Sequence, residues 1–298
     1  VVELERGLRR PWALAFLPDE SLLITLRGGE LVHLDNGRRV SLEGLPDIAS
    51  VGQGGLLDIE PHPDFGRNGN NWVYFTYSSR ESGGLGTRLG RARLQDGRLE
   101  GFEQLFSMNN NSGGGVHFGS RMAFDAEGRV YFSIGDRGSR NRAQDISDHA
   151  GSVIRLNADG SIPTDNPFVG REGADEIFTY GNRNIQGMTR HPLTGAVWTH
   201  EHGPQGGDEI NILRPGVNYG WPEISYGSEY VTGREIGGTE APGMAQPLIH
   251  WTPSIAPSGM TFYEGDRFPE WQRDVFVGAL AGTHLRRLEL AGNTIADQ

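Results

Sequence analysis

The 298-residue sequence predicts an all-β chain folded as one domain over residues 1–298, and three observations carry that expectation. Its 45 glycines and 16 prolines are spread along the whole length, which implies many short strands joined by tight turns. One hairpin-like phrase recurs five times. The copies lie about 40 to 70 residues apart, a spacing that suits four-stranded antiparallel blades with inserted loops rather than shorter solenoid repeats.

The phrase is a short apolar stretch, a turn, and a second stretch of β-branched and aromatic residues. The first copy runs from Trp12-Ala-Leu-Ala-Phe-Leu-Pro-Asp19 into Leu22-Leu-Ile-Thr25, and the second from Leu57-Asp-Ile-Glu-Pro-His-Pro-Asp64 into Trp72-Val-Tyr-Phe-Thr-Tyr77. The third joins Met122-Ala-Phe-Asp-Ala-Glu-Gly128 to Val130-Tyr-Phe-Ser-Ile134. The fourth joins Met188-Thr-Arg-His-Pro192 to Ala196-Val-Trp-Thr199, and the fifth Met260-Thr-Phe-Tyr263 to Val275-Phe-Val277. Outer strands follow at Arg88-Leu-Gly-Arg-Ala-Arg-Leu94, Gly151-Ser-Val-Ile-Arg-Leu156 and Leu285-Arg-Arg-Leu-Glu-Leu290, whose alternation reads as half-buried edges.

The architecture expected is a six-bladed β-propeller whose last blade is incomplete. A propeller protects its terminal edges by closing its ring, so a first strand near Val2-Glu-Leu4 is expected to complete the last blade. Few residues follow Leu290, which leaves the closing blade short by a hairpin or more and implies a missing C-terminal segment. A five-bladed ring is the alternative.

Composition excludes several function classes. The net charge of −11, with no run of Lys or Arg interleaved with aromatics, gives nucleic acid no electrostatic footprint. The absence of cysteine removes disulfides, thiolate zinc sites and cysteine nucleophiles. No stretch of eighteen apolar residues occurs, so no membrane span is expected, and any export signal is expected to have been removed before Val1. Gly-x-Gly-x-x-Gly after a strand, Gly-x-Ser-x-Gly, a Walker loop and His-Glu-x-x-His are all absent, which argues against nucleotide chemistry and serine hydrolysis.

Ligands of propellers sit at one end of the central channel, so chemistry is sought at equivalent points of successive repeats. Four segments qualify: Gly52-Gln-Gly-Gly55, Gly115-Val-His-Phe-Gly-Ser-Arg121, Tyr180-Gly-Asn-Arg-Asn-Ile-Gln-Gly187, and His200-Glu-His-Gly-Pro-Gln-Gly-Gly-Asp-Glu209. His117, following a glycine run, is a candidate base near neutral pH; a loop-capping histidine is the plain alternative. Arg183 beside Asn184 offers a charged fork next to an amide, suited to an acidic or quinonoid ligand or else to a structural ion pair. Gln53 supplies an amide where backbone approaches closely, as an ordinary turn would also. The last segment reads either as a His200-x-His202 transition-metal pair or as hard oxygens for calcium: the carbonyls of Gly203 and Pro204 and the carboxylates of Asp208 and Glu209. No third imidazole or carboxylate stands close by, which favours calcium.

These segments resemble the soluble quinoprotein glucose/sorbosone dehydrogenases, and within them the aldose sugar dehydrogenase branch. Arg10-Pro-Trp-Ala-Leu-Ala-Phe-Leu-Pro-Asp19, Gly52-Gln-Gly-Gly-Leu-Leu57 with His62-Pro-Asp-Phe65, Gly181-Asn-Arg-Asn184, Glu201-His-Gly-Pro204, Asp208-Glu-Ile-Asn211 and Asn218-Tyr-Gly-Trp-Pro222 carry the resemblance along nearly the whole chain. It implies pyrroloquinoline quinone and Ca2+ as cofactors, an aldose sugar as substrate, and a small or protein electron acceptor. It implies that His117 is the base that takes the anomeric hydroxyl proton while hydride passes to the quinone, with Arg183 stabilising charge on the reduced cofactor. Gln53, Arg183, Asn184 and Tyr230 match cofactor contacts. Gly203 and Pro204 match carbonyls that hold the quinone's calcium, and Glu209 and Tyr219 match a further calcium site. A periplasmic or secreted location is implied by the resemblance alone.

Three departures qualify these implications. Val116 stands where the glucose-oxidising branch has aspartate, so substrate orientation is expected to differ and specificity to be broad. A pocket lysine of that branch is replaced near Ala281, and the late arginines that grip the cofactor carboxylates would lie beyond Gln298. Two rival readings therefore stand beside the dehydrogenase: a calcium-dependent lactonase or esterase, and a non-catalytic binding propeller.

Overall fold

The computed structural model describes residues 3–292 and 294–298. The chain forms five four-stranded antiparallel sheets, each a meander in sequence order. The first contains β1 (Pro11–Phe16), β2 (Leu22–Leu26), β3 (Glu30–Asp35) and β4 (Arg38–Leu42). The second contains β5 (Leu56–Pro61), β6 (Trp72–Glu81), β7 (Gly84–Gln95) and β8 (Arg98–Ser107). The third comprises β9 (Met122–Phe124), β10 (Val130–Ile134), β11 (Ser152–Leu156) and β12 (Ile177–Thr179). The fourth comprises β13 (Ile185–Arg190), β14 (Val197–Glu201), β15 (Asp208–Ile212) and β16 (Ile249–Trp251). The fifth comprises β17 (Pro257–Phe262), β18 (Val275–Ala279), β19 (His284–Ala291) and β20 (Thr294–Asp297).

The described residues thus form five blades, not six, and the fifth has all four of its strands. Each copy of the sequence repeat builds one inner hairpin, and a sixth blade rested on the demand for ring closure rather than on a sixth copy. Glu3 and Leu4 belong to no strand, so they complete no blade, and Val2 lies outside the described residues. The three supposed edge strands are third strands, paired on both sides, and β11 is buried throughout. Their alternation reflects two packed faces of unequal polarity rather than an edge.

The recurrent turn has a physical cause. In four blades a side chain after the inner strand accepts backbone N–H groups and closes the hairpin: Asp19 from Ser21, His62 from Asp64, Asp125 from Glu127 and Arg129, and His191 from Leu193 and Thr194. The second strands then pack blade on blade. Leu23, Leu56, Val73 and Phe75 fill the first interface, and Tyr74, Met122, Phe132 and Ile154 the second. Tyr131, Ile185 and Met188 fill the third, and Trp198, Phe262, Val275 and Val277 the fourth. Burial of each side chain of this size contributes about 1.5–3 kcal/mol.

Buried hydroxyls tie neighbouring blades. Thr25 Oγ1 donates to the Leu57 carbonyl at 2.5 Å, Thr76 Oγ1 to Ser120 at 2.7 Å, and Ser133 Oγ to Ile185 at 3.4 Å. In β14 and just past its end, histidines take over this work. His200 Nε2 meets the Gly259 carbonyl at 3.2 Å and His202 Nε2 meets that of Pro257 at 2.6 Å. Each inner strand begins, and each second strand ends, at the same end of the propeller, and the four segments singled out in the sequence converge there.

Candidate functional site

Gly52-Gln-Gly-Gly55 leads into β5 and lies against the glycine run before β9. A Cβ on Gly52, whose φ is +61°, would stand 2.2 Å from the Gly115 carbonyl oxygen, so only glycine admits this approach. The two loops are then joined twice: Gln53 N–H donates to the Gly115 carbonyl at 2.7 Å, and Gln53 Oε1 accepts from His117 N–H at 2.7 Å. His117 is held at φ +51°, a left-handed conformation uncommon outside glycine.

Its imidazole Nδ1 lies 2.6 Å from Asp136 Oδ1. Asp136, just past the end of β10, also accepts Gly138 N–H at 2.7 Å and the Trp221 indole N–H at 2.8 Å. Burial pushes this carboxyl up, but the His117 contact and the two further donors outweigh it and hold it below the usual carboxylate range. An ionised Asp136 can only accept, so Nδ1 carries the hydrogen and Nε2 keeps its lone pair. Beneath the loop, the buried Arg137 guanidinium sits 3.5 Å from the Phe118 ring centroid and donates to the carbonyls of Gly114 and Val116.

The blade-four half is anchored by Glu201 at the end of β14. Its carboxylate accepts the Asn182 amide at 2.8 Å and the backbone N–H groups of Arg183 and Asn184. Arg183 is buried, donates from Nη1 to the carbonyls of His202 at 3.0 Å and Gly203 at 2.7 Å, and reaches the Tyr230 hydroxyl from Nη2 at 3.4 Å. Its Cζ is 5.4 Å from the Trp221 ring centroid. Asn184 Oδ1 accepts Gly119 N–H at 3.1 Å, linking this half to the His117 loop. Tyr230 is 65% exposed and forms the rim.

Glu201 faces Glu209 directly across the β14–β15 ladder. Glu209 accepts one long bond, 3.3 Å from the Asn211 amide, and burial followed by the charge of Glu201 pushes it up to about 8. Burial raises Glu201 as well, but its three donors favour the ionised form. Glu209, Tyr219, Gly203 and Arg183 line one small enclosed space. The Tyr219 hydroxyl is committed elsewhere, donating to the Ile212 carbonyl at 2.7 Å. Pro204 is buried at the β14–β15 turn.

The structure also separates residues that looked alike in sequence. Asp208 is saturated by the N–H groups of Gly203, Ile255 and Ala256 and the Ser254 hydroxyl, so it anchors the turn and has no capacity left for a cation. His200 and His202 spend Nε2 on blade five, and among the described residues no group of three His, Asp or Glu side chains gathers to hold a metal, so the transition-metal reading of His200-x-His202 is not supported. Asp136 and Arg137 lie outside the segments singled out in the sequence, and Glu201 and Trp221 lie inside them without a role of their own. The available signal was position: Asp136 follows a second strand at the end where inner strands begin. Among the described residues no helix is long and apolar enough to cross a membrane.

Comparison with known proteins finds relatives that match nearly the whole chain. Aldose sugar dehydrogenase YliI of Escherichia coli (strain K12) is 42% identical over 302 residues, covering 99% of this chain and 81% of that protein. A crystal structure of a glucose dehydrogenase superposes with a TM-score of 0.96 at 42% identity, over 99% of this chain and 88% of the other. The PQQ-bound form of aldose sugar dehydrogenase from Streptomyces coelicolor gives a TM-score of 0.83 at 29% identity, over 99% and 81%. The Glucose / Sorbosone dehydrogenase family model matches residues 8–298, and the chain belongs to that family.

Proposed function

We propose that this chain oxidises the anomeric hydroxyl of an aldose sugar to the lactone, with hydride transfer to pyrroloquinoline quinone and His117 as general base. The observation that carries the reading is the His117–Asp136 pair at 2.6 Å. Asp136 fixes the tautomer, so the free Nε2 lone pair takes the hydroxyl proton while the C1 hydrogen leaves as hydride and C1 becomes a carbonyl. The imidazolium so formed is stabilised by the buried carboxylate. When bound, the quinone supplies the two-electron acceptor and calcium polarises it.

Arg183, Asn184, Gln53 and Tyr230 would hold the cofactor. The fork of Arg183 is only weakly engaged at Nη2, which suits an acidic, planar ligand beside Trp221. Glu209, with Tyr219 through its backbone carbonyl, would hold a calcium ion, and the buried, poorly partnered carboxylate fits such a cation. Gly203 and Pro204 would offer carbonyls to the quinone's calcium, although Gly203 can do so only after Arg183 Nη1 turns from its carbonyl toward the acidic ligand. Val116, 39% exposed beside the base, offers the sugar no side-chain hydrogen bond, which supports broad aldose specificity. The proposal includes a periplasmic or secreted location and a small or protein electron acceptor, both on family resemblance.

The test is titration of the apo-protein with pyrroloquinoline quinone and calcium, followed by aldose-dependent reduction of a dye. Reduction that requires both additions, with more calcium needed for half-maximal activity in Glu209→Gln, is expected. Lactone hydrolysis without quinone, or quinone binding without turnover, would overturn it.

A further inference from the structure

The mouth of the central channel holds a cavity of about 290 Å3 lined by residues of all five blades, among them Trp12, Arg27, Gln53, Arg121, His202 and Ser258. Two guanidinium groups reach it, and they differ. Arg121 is spent: Nη1 donates to Asp58 at 3.0 Å, Nε donates to the Gln186 carbonyl at 3.0 Å, and its Cζ lies 4.1 Å from the Trp12 ring centroid. Arg27, just past β2, has no ion pair and no side-chain hydrogen bond among the described residues, and its Nε is buried without an acceptor.

Its position is built. Arg27 N–H donates to the Arg10 carbonyl at 3.0 Å, and Gly55 leaves room for its stem, since a Cβ there would lie 1.9 Å from the Arg27 carbonyl oxygen and 2.7 Å from Cγ. Gln53 stands in the same wall with Oε1 already committed to His117 N–H, which leaves its NH2 group to donate. A guanidinium in a cavity wall that pairs with no acceptor of the described chain is matched when an anionic ligand supplies one.

We infer that this cavity is a carboxylate-binding subsite, in which the Arg27 guanidinium engages the anion as a two-pronged fork and Gln53 adds an amide donor. Part of the inference rests on the proposed function, because two carboxylates could enter: an acidic group of the quinone, or the carboxyl of a sugar acid. The shared chemistry is the carboxylate. Through Gln53 the subsite reports directly to the backbone of the proposed base.

The test is calorimetric titration of wild type, Arg27→Gln and Arg27→Lys apo-protein with pyrroloquinoline quinone, its trimethyl ester and D-glucuronate. Arg27→Gln is expected to weaken one carboxylate-bearing probe by about 10- to 100-fold, with partial recovery in Arg27→Lys and no effect on the ester. A loss confined to the quinone assigns the subsite to the cofactor, and a loss confined to glucuronate assigns it to an acidic sugar. The thermal midpoint of the Arg27→Gln apo-protein is expected to equal or exceed wild type, because no bond within the chain is lost. Equal affinities of all proteins for both carboxylate probes, or a fall in that midpoint, would overturn the inference. A wild type that binds no quinone would count against the proposed function, and the glucuronate titration would still decide the role of Arg27.

Discussion

On the blade-three side of the site the buried carboxylate of Asp136 accepts three hydrogen bonds and stays ionised, whereas on the blade-four side Glu209 has one long bond and is pushed up to about 8. The first half finds its partners within the chain; the second would be matched by the cation proposed there. The difference teaches that a buried carboxylate in this fold can be matched by the chain's own donors or left unmatched, and on the proposed function the first holds the base and the second awaits a bound cation. The largest way to break the first half is His117→Ala, which removes the base. It is expected to lower kcat for dye reduction by about 10^2- to 10^4-fold while the thermal midpoint of the apo-protein stays near wild type, since the ring is held by one side-chain contact.

Glu201 supports both halves, because it holds the backbone of Arg183 and Asn184, and Asn184 in turn holds Gly119 beside the base. Glu201→Gln takes the charge from the carboxylate and gives one arm donors where Asn182 or the two backbone N–H groups need an acceptor. The expected cost is about 3 kcal/mol in urea unfolding, in the range for breaking a buried charged network. A cost under about 1 kcal/mol would mean that the loop is held by packing instead.

Asp136→Asn sharpens the comparison without removing the base. The amide retains the shape but offers no charge to the imidazolium, and it allows the wrong tautomer. A fall in kcat of about 10- to 100-fold with little change in KM is expected, together with a shift of the rising limb of the pH–rate profile to lower pH, because an imidazole without its anionic partner gives up its proton more readily. An unchanged pH profile would reduce Asp136 to a structural anchor.

The hairpin repeat was legible because it is local: apolar alternation and a side-chain acceptor in each turn, such as Asp19 or His191, lie within a dozen residues. The blade count was misjudged where the reading left the residues and appealed to ring closure. His117, Gln53 and Arg183 stand out through glycine-rich context and residue type, and the structure brings their segments to one end. Asp136 and Glu201 were invisible as partners, since Asp136 is 19 residues from His117 and 85 from Trp221, and nothing in a single sequence encodes such pairings. Residue type alone does not separate Asp208 from Glu209, and only the family resemblance singles out Glu209; in the structure one is saturated by four donors and the other is nearly bare.

Glu60 provides the smallest and most discriminating test of what an unmatched carboxylate means. It too is pushed up to about 8, first by burial and then by Asp58, with Arg121 opposing, but it lies on the inner strand β5 away from the Glu209 cluster. Its folded-state pKa exceeds the ordinary 4.5, so the folded chain binds the extra proton between those values. Stability is therefore expected to fall as pH rises from about 4.5 and to level off above about 8. Glu60 keeps some solvent contact, which reduces its share to about 1–2 kcal/mol. Glu60→Gln should flatten that part of the curve in thermal unfolding of the apo-protein. Calcium should leave the difference between Glu60→Gln and wild type unchanged, because no second ligand beside Glu60 is free: Asp58 is committed to Arg121 and to Met122 N–H. If calcium removed the difference, burial without partners would be sufficient to make a cation site in this fold, and the special standing of Glu209 would be lost.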